Sequence, residues 1–277
     1  MQVLTQKYPG YLRLVDKHVK TNPANGYRIA VTAYRLQHSG KRVFLSIVHP
    51  LGGGLAQHSR ALMASTTEEV IWLELRPMDA GRVILECDRA GYQFSLALEP
   101  HLEYEQLATV VRACGVERIH IHHLMGHGEG VARLIRDLQV PFDFTIHDYY
   151  TICPQVTLSD EHGRYCDEPD ESGCRRCMAL RPPTGNVVDI TSWRAKYAWV
   201  LGDADRVIAP TADAGVRIRK YYPQAPLIMA EHENAPFCTV PTARLVLDGE
   251  PLRVAVLGAM AIHKGLELLR EMCIRDS

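Results

Sequence analysis

His147 and Asp148 follow the apolar run FDFTI at residues 142–146 and open a polar stretch carrying Cys153, Cys166, Cys174 and Cys177. An imidazole at the carboxyl end of a strand can hydrogen-bond a substrate hydroxyl and stabilise charge as a bond breaks. It can equally cap the strand end through backbone contacts. Asp148 can orient that imidazole or bind a hydroxyl, and an aspartate at a strand-to-loop turn is also ordinary turn chemistry. Open α/β sheets hold their ligands at strand carboxyl ends. The cysteines are spaced C-x12-C-x7-C-x2-C. The pair Cys174 and Cys177 supplies one knuckle, and Cys153 with Cys166 completes a tetrahedral four-sulfur site for structural zinc. Four thiolates leave no open position, so such zinc would not be catalytic. Two disulfides, or free thiols, are the alternatives.

Three further groups carry chemistry. Gly52, Gly53 and Gly54 follow an apolar run and precede a helical pattern, where bare backbone N–H groups can approach a ligand. Glycine also serves tight turns. The order is not G-x-G-x-x-G, which argues against a dinucleotide cofactor. His120, His122, His123 and His127 cluster in sequence. Read as a strand over residues 117–123, His120 and His122 share one face and His123 takes the other, which speaks against one metal centre. His123, near the strand end, is the one expected to line a cleft. Trp193, Arg194 and Tyr197 could cover that cleft, although Trp193, Tyr197 and Val200 at helical spacing also read as a core stripe. Cys87 and Cys114 sit in apolar segments and read as core.

The elements that would position these groups alternate. Apolar runs at residues 42–48, 69–75, 82–87, 92–98, 117–123, 142–146, 206–209 and 227–230 read as strands. Residues 24–37, 55–63, 102–114, 128–139, 189–201 and 211–221 read as helices, the last capped at Thr211. In the first of these helices the apolar residues are Ile29, Ala30, Ala33 and Tyr34. The strands at 82–87 and 92–98 are close enough to pair as an antiparallel hairpin. The rest predicts an α/β, doubly wound and mainly parallel Rossmann-like sheet. Residues 1–41 read as a partly helical lead-in, and 42–235 as one domain with the cysteine insert at 149–180. Residues 236–251 read as a linker and 252–271 as the opening of a second, incomplete Rossmann-like domain. Residues 272–277 do not continue that helix pattern and resemble an artefactual tail.

Over 277 residues the apolar content is 47% and the net charge is −1. That suffices for a full core and gives no electrostatic case for nucleic acid. No apolar run of transmembrane length and no signal peptide is legible, so the expectation is a cytoplasmic protein. In that compartment disulfides are disfavoured.

Several motifs together resemble the retaining family-4 glycosyltransferases of GT-B fold. They are HPLGGG at residues 49–54 with His58 following, IHIHH at 119–123, TIHDYY at 145–150, ADRVIAPT at 204–211, and Gly258 with HKG at 263–265. The resemblance covers about residues 42–270, and the cysteine insert resembles that of a bacterial subgroup. It implies transfer of a sugar from a nucleotide-sugar (UDP-, GDP- or dTDP-linked) to a glycan, lipid-linked or small-molecule acceptor, with anomeric retention and no catalytic metal. It matches His147 to the histidine that contacts the transferred sugar, Gly52–Gly54 to the cleft, and Lys264 to the donor diphosphate. Peripheral membrane contact stays open. The family's paired glutamates have no counterpart here, since Glu267 and Glu271 are only four apart. The expectation is therefore a chain inactive by itself. Two rivals remain at this point. One is a non-catalytic, zinc-stabilised binding module on a Rossmann-like scaffold. The other is a GT-B enzyme of another reaction, such as a nucleotide-sugar epimerase.

Overall fold

A computed structural model gives the structure and describes residues 6–181, 189–232 and 261–275. Its described residues divide into two compact units. The first takes residues up to Pro50 with 65–120 and 126–141, and the second takes 51–64, 121–125 and those from Phe142 onward.

The first unit opens with helices α1 (Tyr11–Thr21) and α2 (Asn25–Gln37). Ile29, Thr32, Ala33 and Leu36 of α2 are buried, while Tyr34 is exposed. Of the expected apolar residues Ile29 and Ala33 are buried, and with Leu36 they make an i, i+4, i+7 stripe, while Ala30 and Tyr34 are exposed. Gln37 fixes the end of α2 by donating from Nε2 to the Ala113 carbonyl at 2.9 Å. Strands β1 (Arg42–Ile47) and β2 (Val70–Pro77) pair in parallel, Arg42 opposite Val70 and Ile47 opposite Leu75. Leu45, Ile47, Ile71, Leu73 and Leu75 are fully buried, and each such side chain contributes about 1.5–3 kcal/mol.

β3 (Val83–Cys87) and β4 (Phe94–Leu98) form the expected antiparallel hairpin, closed by the pair Cys87 and Phe94. Their strict alternation buries Val83, Leu85 and Cys87 with Phe94, Leu96 and Leu98 on one face. Strand order in this unit runs β4-β3-β2-β1-β5, where β5 is Val116–Ile121. Helix α4 (Tyr104–Ala113) and helix α5 (Glu129–Leu138) complete it. Val131, Leu134 and Ile135 form the buried stripe of α5, and Cys114 is fully buried as a core residue.

The second unit holds helix α3 (Gly54–Ser65) and strands β6 (Phe142–Thr145), β7 (Arg206–Ala209) and β8 (Leu227–Met229), paired in parallel in that order. β6 is buried along its whole length, including Asp143. Asp143 lies opposite Arg206 in register, and the guanidinium meets its two oxygens at 2.8 and 2.6 Å. A charged residue can sit in this strand because a bidentate partner neutralises it. Helix α7 (Ile190–Gly202) is capped by Asp189, which accepts from the N–H groups of Thr191 and Ser192. Helix α8 (Ala212–Tyr221) is capped by Thr211, which accepts from Ala214 N at 3.2 Å.

The cysteine insert forms turns and one helix, α6 (Glu171–Leu180), which carries Cys174 and Cys177. What ties it down is a buried carboxylate. Glu168 accepts from Tyr165 and Tyr221 hydroxyls at 2.7 and 2.9 Å and from Lys220 Nζ at 3.2 Å, and pairs with Arg217. Burial alone would raise its pKa, but these four donors outweigh that and hold it at about 2. Tyr222 adds a hydroxyl bond to the Thr151 carbonyl at 2.7 Å.

The linker at 236–251, the strand expected at 252–257 and Gly258 lie outside the described residues. Helix α9 (Leu266–Arg275) runs through Met272 as far as Arg275. The break expected at 272 is therefore absent, since no glycine or proline interrupts the segment. No described helix is long and apolar enough to cross a membrane.

Candidate functional site

The sequence just past β5 and the sequence just past β6 supply the core of the site, and both belong to the second unit. β5 ends at Ile121, so His122 and His123 lie beyond it. The shared strand face expected for His120 and His122 therefore does not form. His120 stays in the first unit, edge-on to Trp72 at 6.4 Å between ring centres. His127, also in the first unit, meets the Val48 carbonyl through Nε2 at 2.8 Å. The four histidines thus serve different places rather than one centre.

His147 meets His122, with Nε2 to Nδ1 at 3.1 Å. Two more imidazoles join them from distant parts of the chain. His58, on α3, stands 5.3 Å from the His147 ring and 5.6 Å from the His122 ring. His232, past β8, stacks on His147 at 5.0 Å and lies 4.1 Å from His58. Burial, and then the neighbouring His232, lower the pKa of His58, while burial lowers that of His232. Both rings therefore remain neutral further into the acid range. His58 Nδ1 is buried with no hydrogen-bond partner among the described residues. Neither His58 nor His232 stood out in sequence as a site residue with His147. One signal was available for His58, which follows the HPLGGG segment at residues 49–54.

Asp148 turns the other way. Its Oδ2 meets His123 Nε2 at 3.0 Å, and its Oδ1 accepts from Tyr150 N at 2.9 Å. It therefore orients His123 and not His147, because the turn at Tyr150 swings the carboxylate away from its neighbour. His123 Nδ1 accepts from Met125 N at 2.9 Å, which leaves its proton on Nε2, donated to Asp148. His123 is buried at 3% exposure, so this pair is part of the frame of the site. These groups line a small recess with His122, Phe144, His147 and Thr151. Thr151 Oγ1 is buried there without a hydrogen-bond partner among the described residues. Tyr150 is fixed behind it by Trp193 Nε1 donating to its carbonyl at 2.7 Å and by the Tyr197 hydroxyl at 3.2 Å. Tyr197 and Val200 are buried and Trp193 is half-buried, so Tyr197 serves both the core stripe and the support of Tyr150.

Gly52, Gly53 and Gly54 are exposed, and a Cβ at any of them would meet nothing within 4 Å. Only Gly53, at φ +95, needs glycine for its backbone. Lys264 ends a short 3-10 turn, is exposed, and takes no part in the recess lining.

The four insert cysteines are free, as are Cys87 and Cys114. Burial first, and then the neighbouring thiols, push Cys153 up to about 11 and raise Cys177 and Cys166. The thiols thus lie close enough to oppose one another's ionisation. Among the described residues, however, the group whose ligand atoms converge within 4.8 Å is His58, His122 and His147. The cysteines are not part of it.

The chain matches no protein-family model and no curated protein.

Proposed function

We propose that this chain is the acceptor-side part of a glycosyltransferase that moves a sugar from a nucleotide-sugar to a glycan, lipid-linked or small-molecule acceptor, with anomeric retention. One observation carries the reading. Three motifs far apart in sequence, Gly52–Gly54 with His58, the His122 segment, and His147 with Asp148, belong to one unit, and their histidines meet around His147. In this reading the His147 ring hydrogen-bonds a hydroxyl of the transferred sugar, and the Asp148–His123 pair holds the loop that carries it. Thr151 Oγ1 is a further hydroxyl-sized partner at the recess. Lys264 is assigned to the donor diphosphate as a point charge.

The test is saturation-transfer NMR with UDP-, GDP- and dTDP-sugars and a panel of oligosaccharides. Transfer of saturation to at least one saccharide, lost in His147→Ala, is the expected result. No saccharide contact in the native chain, or contact indifferent to His147→Ala, would overturn it.

A further inference from the structure

His58, His122 and His147 each offer a ring nitrogen, and these nitrogens lie within 4.8 Å of one another. The His122 Nδ1 and His147 Nε2 atoms are 3.1 Å apart. Two imidazoles on one tetrahedral ion, with metal–nitrogen bonds of about 2.0–2.1 Å, hold their nitrogens about 3.4 Å apart. The pair therefore already stands near the spacing that one ion demands. The third imidazole arrives on α3 with Nδ1 buried and without a partner among the described residues.

We propose that His58, His122 and His147 bind one divalent transition-metal ion, with Zn²⁺ the best match. Three imidazoles and no carboxylate suit a borderline ion such as Zn²⁺ and not the oxygen-seeking Mg²⁺ or Ca²⁺. Three protein nitrogens leave the fourth tetrahedral position to water or to a substrate oxygen. The ring carrying the proton shared between His122 and His147 changes tautomer on binding. That proton passes through water to the other nitrogen of the same ring, so no net charge is lost. Asp148 and His123 are already committed to each other and stay outside the coordination shell. The site differs from the zinc expected in the insert by donor atom, nitrogen in place of sulfur. It is independent of the transferase reading, because ion binding is measured on the protein directly.

Co²⁺ titration followed by optical spectroscopy separates the sources. The expected result is one ion per chain with visible ligand-field bands and no near-ultraviolet thiolate charge-transfer band. His58→Ala should weaken binding by at least about tenfold, on the scale that losing even an outer-shell partner costs such sites. His147→Gln provides a second variant should the first fail to fold by circular dichroism. A Cys174→Ser/Cys177→Ser double variant should leave the spectrum unchanged. Absence of binding, a thiolate band, or a spectrum unmoved by both histidine variants would overturn the assignment.

Discussion

Asp148 illustrates how much a single side chain can hold in place. Both of its oxygens are occupied, one by the His123 ring and one by Tyr150 N. Asp148→Ala leaves two donors without acceptors, one of them on a buried ring, and should cost about 1–3 kcal/mol in urea unfolding. Asp148→Asn, which keeps one acceptor oxygen, should recover part of that. The ring ¹⁵N shifts of His123 give a readout that simple destabilisation would not move. They should report the Nε2–H form in the native chain and a mixture of tautomers in Asp148→Ala. The place of His147 just past a strand end was legible because an apolar run delivers it there. Its partners His58 and His232 were not, because contact between residues so distant in sequence is decided by tertiary packing. The same holds for Glu168, which reads as one more charge in the acidic run DEPDE. Its burial depends on Arg217 and Lys220, which sit on α8.

At the scale of elements, two ion pairs hold the second unit's parts together. Arg206→Ala would strand the buried Asp143 carboxylate between β6 and β7. The loss should fall near the lower end of about 3–5 kcal/mol, since the Arg206 side chain is half exposed, and chemical denaturation measures it. The Glu168 cluster anchors the insert to α8 in a pH-dependent way. Its pKa falls from 4.5 to about 2 on folding. The unfolded chain therefore takes up a proton that the folded chain refuses. The contribution is full above pH 4.5 and is lost as pH falls toward about 2. Stability measured against pH should show this slope in the native chain. Glu168→Gln should lack that part of the slope and be less stable near neutrality. Strands were legible as apolar runs, and the cap at Thr211 as a polar residue before a helical pattern. The burial of Ile29 and Ala33 on α2 was legible, but the exposure of Ala30 and Tyr34 was not, because apolar spacing alone does not say which of two adjacent stripes meets a neighbour.

At the scale of the molecule, the chain is α/β, with a parallel set of strands in the second unit and a mixed set in the first. The alternation of strands and helices was legible from β1 to β8, but helices α1 and α6 were not, the first in the poorly patterned lead-in and the second inside the polar cysteine insert. The division of the chain into units was not, because α3 and residues 121–125 leave their sequence neighbours to join the second. That rearrangement is what brings the candidate histidines into one unit. The central claim is that this histidine constellation is where the protein meets a sugar. The most direct measurement follows the ring ¹H–¹³C resonances of all the histidines while nucleotide-sugars and oligosaccharides are added. The account predicts that His147, His122 and His58 shift with at least one saccharide while the exposed His101 and His162 stay in place. Movement confined to the exposed rings, or no movement with any saccharide, would contradict it.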